Sequence, residues 1–330
     1  MTTDRGWRPD VLGAGFEQLT LPLGSDDEGE VVATLVRHMP TESIAERLFG
    51  DRRALADVDV LYVHGWSDYF FQTRLARFFT DRGARFFALD LRKYGRSLRL
   101  GQTPGYIANL DDYDEDIGAA LDAMDRGDRR LVLVGHSTGG LTLSLWASRH
   151  PGVASALVLN SPWLEFQLSG LGRAALAPVV GLRARLHPLD VAPQVDLGYY
   201  TRAQREVADP ADPVEINHEW RPDQTMAVYA GWFNAVLRGH AHVAAGLVID
   251  APVCVLLSAR SALPTRWSDE LTRVDSVLNV DEIARAALGL GSSVTIERID
   301  GAIHDVFLSR HEAREEAYAR LGRWVRGFVS

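Results

Sequence analysis

Apolar residues along the chain fall into short runs separated by longer polar or amphipathic stretches, and the two lengths together predict the elements. Residues 15–22 and 29–38 alternate apolar and polar around a Gly/Ser/Asp turn at 24–29, which predicts an antiparallel hairpin at a sheet edge. Residues 59–64, 84–90, 130–135 and 155–160 are short apolar runs, each followed by enough chain for a crossover helix, and they predict parallel strands in a doubly wound sheet. The rhythm breaks from Pro162 to about Leu247, where prolines at 178, 188, 193, 210, 213 and 222 punctuate short amphipathic pieces. This segment predicts an inserted helical cap. Within it Met226, Tyr229, Trp232, Phe233, Val236 and Leu237 recur at helical spacing, the pattern of a packed face or of a pocket wall. Strands resume at 252–257 and 294–299 with a helix over 280–288 between them, and Gly289 and Gly291 are placed to close that helix. A last helix over 312–328 carries Ala317, Leu321, Trp324 and Phe328 near one face. The division that follows is a core of residues 1–161 and 248–330 around a cap of residues 162–247.

Composition narrows the class. With 330 residues, 46% of them hydrophobic and 24% charged, the chain has the makings of a large globular α/β body. The net charge of −9 is spread without a basic stripe, so the footprint of a nucleic-acid binder is missing. The single cysteine, Cys254, sits in the apolar run 253–257 and reads as a buried strand residue. The start Met1-Thr-Thr-Asp-Arg5 lacks an apolar signal core and no apolar run reaches a membrane span, which makes cytoplasmic residence, without integral membrane association, the default expectation.

The strongest chemical signal is Leu131-Val-Leu-Val-Gly-His-Ser-Thr-Gly-Gly140, a predicted strand running through GxSxG into a predicted helix. A serine at such a turn projects clear of the sheet, while Gly135 and Gly139 keep side chains out of the neighbouring strand and helix. Ser137 is therefore the candidate nucleophile. Amides at the start of the following helix point at the same spot, so the Thr138 N–H is a candidate oxyanion donor. The second is the Trp66 N–H, in the loop His64-Gly-Trp-Ser-Asp-Tyr69 after the strand, where Gly65 lets the backbone turn and His64 reads as a brace. A serine hydroxyl needs a base, and His304 in Gly301-Ala-Ile-His-Asp305 follows the strand 294–299 at the same sheet edge. The other histidines, at 38, 136, 150, 187, 218, 240, 242 and 311, lack that placement. The acid that orients the base should follow the strand ending near Leu257. No aspartate stands at the tight turn there; Asp275, leading into the next helix, is preferred and Asp269 is the alternative.

These residues resemble the lysophospholipase and monoacylglycerol lipase-like branch of the α/β-hydrolase superfamily, also called serine aminopeptidase-like. The likeness rests on His64-Gly-Trp-Ser-Asp-Tyr69, Asp90-Leu-Arg-Lys-Tyr-Gly-Arg-Ser97, Gly135-His-Ser-Thr-Gly-Gly140 and Gly301-Ala-Ile-His-Asp305. It implies an α/β-hydrolase fold with an inserted helical cap, a Ser137, Asp275 and His304 triad, and oxyanion amides at Trp66 and Thr138. It also implies that Arg92 and Arg96 brace loops. The chain departs from the family pattern in carrying residues 258–274 ahead of Asp275, where relatives have a short Gly-x-x-Asp turn. The expected reaction is cleavage of a carboxylic ester, lipid-like or small, through an acyl-enzyme on Ser137, without metal or organic cofactor. Tyr69, Phe70, Phe71, Trp163 and Phe166 follow strand ends and are candidates for the pocket wall. Acyl transfer, C–C bond hydrolysis and a silent ligand-binding role remain the competing readings on this scaffold.

Overall fold

The computed structural model describes residues 6–41, 53–166, 170–192 and 196–329, with the side chains of 170–177 left out. Pro193 and residues 1–5, used above, lie outside the described residues. One nine-stranded sheet runs in the order β1-β2-β3-β5-β4-β6-β7-β8-β9. Its strands are β1 (Arg8–Pro9), β2 (Phe16–Asp26), β3 (Gly29–His38), β4 (Val58–Val63), β5 (Arg85–Asp90), β6 (Arg130–His136), β7 (Ala156–Asn160), β8 (Val253–Ser258) and β9 (Val294–Ile299). The β2–β3 hairpin is antiparallel and extends further into its turn than the alternation predicts, through a register shift between Pro22 and Ser25. It joins β5 antiparallel, and every pair from β5 to β9 is parallel.

Each central strand is apolar on both faces because helices cover both. Leu131 and Leu133 of β6, Leu157 and Leu159 of β7, and Val253, Val255 and Leu257 of β8 enter one core. Their alternates Val132, Val134, Ala156, Val158, Cys254 and Leu256 enter the other. The first core is closed by α2 (Tyr113–Met124), α3 (Thr138–Arg149) and α7 (Val280–Ala287), and the second by α1 (Thr73–Thr80) and α8 (His311–Phe328). In α8, Ala317, Leu321 and Trp324 are buried, but Phe328 is about half exposed and stacks its ring against that of Trp324 at 5.1 Å. Phe328 lies on the outer side of the last turn, whose Val325 is the residue that enters the core, followed by Val329 just past the helix.

Between β7 and β8 lie α4 (Gly170–Leu186), α5 (Tyr199–Val207) and α6 (Ala230–Ala245). Trp232 and Val236 of α6 are core residues against Leu141 and Leu145 of α3. Met226 and Tyr229, predicted in the same helix, precede it: Tyr229 is its N-cap residue. Gly291 is not a helix cap. An added Cβ there would lie 2.3 Å from the Ile249 carbonyl oxygen, so this glycine permits a close backbone crossing.

One pH effect follows from the hairpin. His38 packs its ring 4.5 Å from that of Phe16, and burial first, then the charge of Arg77, lowers its pKa from 6.5. The unfolded chain then binds a proton more readily, so the stability present above the unfolded value is lost as pH falls through the folded one. The thermal midpoint is expected to fall between about pH 7.5 and 5, and to fall less in His38→Phe, as calorimetry of both proteins would show.

Candidate active site

The strand β6 turns into α3 within one residue. Ser137 takes φ 50° and ψ −116°, a conformation non-glycine residues rarely hold, and remains partly exposed. Two neighbours impose it. The Ser137 N–H donates to the Asn160 carbonyl at 3.0 Å, and the Trp163 N–H donates to the Ser137 carbonyl at 3.0 Å. Close approach explains the glycines: a Cβ on Gly139 would lie 2.3 Å from the His64 carbonyl oxygen and 2.4 Å from that of Val63. Backbone would have to move, so Gly139→Ala is expected to cost about 3 kcal/mol in chemical denaturation, the upper end of overpacking penalties.

Gly65 serves the same purpose rather than the turn itself. Its added Cβ would sit 3.0 Å from the Ser137 Cβ, so the loop after β4 lies directly against the elbow. The sharp bend falls at Ser67, with φ 52°. Among the described residues, neither the Trp66 nor the Thr138 backbone N–H has a protein acceptor, and Gly65 and Thr138 border one recess of ≈ 10 Å³. His64 is a brace: its Nδ1–H donates to the Gly65 carbonyl at 2.8 Å, and its Nε2 accepts from the Leu91 N–H at 3.1 Å. Arg92 and Arg96 are braces too, Arg92 against Asp116 at 2.7 Å and Arg96 against Asp10 and Asp90 at 2.7 and 2.8 Å.

His304, 3% exposed, donates from Nδ1 to Asp275 Oδ2 at 2.9 Å. Asp275 is fully buried, and its Oδ1 accepts the Val277 and Leu278 N–H groups at 2.8 Å each. The extra residues ahead of it do not displace it, because Asp275 returns to the end of β8. Its N–H donates to the Arg260 carbonyl at 2.9 Å, and its own carbonyl accepts from Ala262 at 2.9 Å. The excursion 262–274 closes on itself, and Asp269 is exposed on it, in a short 3₁₀ turn. With Nδ1–H held by a carboxylate, the His304 Nε2 carries the lone pair that accepts a proton.

The His304 turn is tied to the elbow by Asn160, a residue that sequence patterning passes over as the last position of a strand. Its carbonyl accepts from Ser137, its Nδ2 donates to Asp305 Oδ1 at 2.7 Å, and its Oδ1 accepts from the Val306 N–H at 3.2 Å. Asp305 Oδ2 also accepts from Gln72 Nε2 at 2.6 Å. His136 donates from Nδ1 to the Asn160 carbonyl at 3.1 Å, with its ring 5.1 Å from that of His304. Burial lowers its pKa, so it stays neutral and sets no like charge beside His304.

The five pocket candidates divide. Trp163 and Phe166 stand next to the elbow in an aromatic group with Trp232 and Phe233, at ring separations of 5.2 to 6.2 Å. Phe70 is core packing instead, between Tyr62 and Phe86 at 5.3 Å each, in the core on the sheet face opposite α3. Tyr69 is buried against Trp220, and its hydroxyl accepts from the Asn217 N–H. Phe71 lines a separate cavity of ≈ 230 Å³ with Gln204, Val207, Ile216, Arg221 and Arg314, a wall that includes neither Ser137 nor His304. A strand-end position did not distinguish these roles, because the loop turns its three consecutive aromatics in different directions. Among the described residues no group of three His, Cys, Asp or Glu side chains gathers as metal ligands, and no helix is long and apolar enough to cross a membrane.

The model of the serine aminopeptidase S33 family matches residues 56–260. The chain belongs to this family. It is similar to lysophospholipase L2 of Escherichia coli K12, 35% identical over 78 residues, which cover 22% of this chain and 23% of the relative. It is 30% identical over 106 residues to a monoacylglycerol lipase of Mycolicibacterium smegmatis, covering 31% and 37%. The match thus spans 23% and 37% of the length of these two curated relatives. Among solved structures, a soluble variant of monoglyceride lipase from Saccharomyces cerevisiae superposes with TM-score 0.63 at 15% identity, over 94% of this chain and 97% of that one. The monoacylglycerol lipase of Paleococcus ferrophilus gives 0.58 at 19% identity, over 82% and 94%. The S33 chain therefore has the α/β-hydrolase fold.

Proposed function

We propose that this S33 chain is a serine hydrolase that cleaves carboxylic esters carrying an apolar acyl group. The Ser137 Oγ attacks the carbonyl carbon while His304 Nε2 takes its proton and Asp275 holds the resulting imidazolium. The carbonyl electron pair moves to an oxyanion that accepts from the Trp66 and Thr138 amides. Collapse breaks the ester C–O bond, the leaving alcohol takes the proton from Nε2, and water then attacks the acyl-enzyme by the same route to release the acid and restore Ser137.

The observation that carries this reading is the buried Asp275–His304 hydrogen bond of 2.9 Å on the turn that Asn160 ties to the strained Ser137 elbow. The segment 162–247 acts as the cap, and Trp163 and Phe166 with Trp232 supply the apolar wall. Curated relatives named as a lysophospholipase and a monoacylglycerol lipase support an ester in preference to an amide. The test is a p-nitrophenyl ester series from acetate to palmitate. Turnover peaking at one chain length is the expected result, and no turnover with any member would contradict the proposal.

A further inference from the structure

Four consecutive residues of the loop after β4 are each held by the segment inserted between β7 and β8, and the partners run in reverse order. The Trp66 ring lies 3.8 Å from that of Trp232. Ser67 Oγ accepts from the Met226 N–H at 3.1 Å. Asp68 Oδ1 is 2.9 Å from Arg221 Nε, an ion pair in which the N–H axis misses the oxygen. The Tyr69 hydroxyl accepts from the Asn217 N–H at 2.8 Å. The loop is thus zipped to the insert along the residues that carry the Trp66 amide and the bend at Ser67. A left-handed Ser67 costs of order 1 kcal/mol on its own and persists only where its surroundings hold it.

The same insert reaches the base. The Tyr200 ring stands edge-on to His304 at 5.5 Å, and its hydroxyl accepts from the Asp305 N–H at 3.2 Å and from Gln204 Nε2 at 2.8 Å. Gln204 Oε1 in turn accepts from Arg221 Nη2 at 2.8 Å. Arg221, whose side chain is 11% exposed, is therefore where the two halves meet: one edge of its guanidinium faces Asp68 beside the oxyanion loop, and the other faces the chain Gln204, Tyr200, Asp305 beside His304.

We infer that Arg221 is a positioning residue which aligns the Trp66 amide and the His304 ring at once, so that the site is complete only when the insert is seated. The inference rests on the proposed ester hydrolysis. Arg221 touches neither Ser137 nor the aromatic wall, so its loss misplaces groups that act in the transition state and leaves ground-state binding intact. A planar fork serves two partners on different edges, which a lysine ammonium does only in part.

The experiment measures kcat, KM and the second-order rate of fluorophosphonate labelling in wild type, Arg221→Gln, Arg221→Lys and the double variant Asp68→Asn/Arg221→Gln. Arg221→Gln is expected to lower kcat and labelling roughly 10- to 100-fold with KM changed less than about threefold, as for a displaced oxyanion donor. Arg221→Lys should recover part of the loss, and the double variant should lose no more than the single one, because the two side chains act as a unit. Arg205→Gln, which breaks an exposed pair with Asp223 in the same segment, should keep the wild-type rate. Should Arg221→Gln not fold, Asp68→Asn/Arg221→Met removes both charges and carries the same comparison. A folded variant with wild-type kcat and labelling, or a loss confined to KM, overturns the inference while ester hydrolysis stands. A wild type inert to esters and probe overturns the proposed function and this inference with it.

Discussion

Replacing Asp275 by asparagine is expected to lower kcat for ester hydrolysis about 10³- to 10⁴-fold, with the fold retained. The direction follows from the bonds Asp275 makes. Its Oδ1 accepts two backbone N–H groups, from Val277 and Leu278. In the variant that position must be filled by the amide oxygen, because an NH₂ there would face two donors. The NH₂ then takes the place of Oδ2 and points at His304 Nδ1, which now sits opposite Oδ2 at 2.9 Å. Nδ1 is forced to accept, the ring proton moves to Nε2, and the lone pair that should receive the Ser137 proton is gone. Asp269→Asn, on the exposed excursion, should change kcat less than about twofold. Steady-state kinetics of the two variants side by side checks the assignment; equal losses, or a loss only at 269, would move the acid elsewhere.

The second large effect is at Ser137 itself. Ser137→Ala removes the nucleophile while alanine meets the same backbone demand at φ 50°, so the thermal midpoint should stay where it is. Ester turnover should drop by about 10⁴-fold or more, to the level that oriented amides give water alone. A variant that kept turnover within tenfold of wild type would require a different nucleophile.

Much of the frame was legible because it follows from periodicity. Strands buried on both faces appear as short continuous apolar runs, and β4 to β9 were each readable to within a residue or two. The elbow was legible because its glycines answer to contacts that any strand, turn and helix of this kind must make, as at Gly139 beside Val63 and His64. Asp275 was readable as a preference only. The excursion that precedes it looks like a displacement in sequence, and only the return of the backbone to Arg260 makes it local again. Tyr200, Arg221, Asn160 and Gln72 left no local signal. Each acts through partners far along the chain, such as Arg221 on Asp68 and Gln72 on Asp305, and a lone polar residue in an irregular segment carries no periodicity to betray such a contact. The aromatics misled for the opposite reason: Tyr69, Phe70 and Phe71 are conspicuous in sequence, yet Phe70 fills the far core and Tyr69 clasps the insert.

The central claim is that Ser137 is an activated nucleophile. Its most direct test is intact-protein and peptide mass spectrometry after treatment with a fluorophosphonate at neutral pH. A single adduct mapped to Ser137, absent from Ser137→Ala and slowed in Asp275→Asn, is the predicted result. Labelling at another serine, or none on folded wild-type protein, would contradict it.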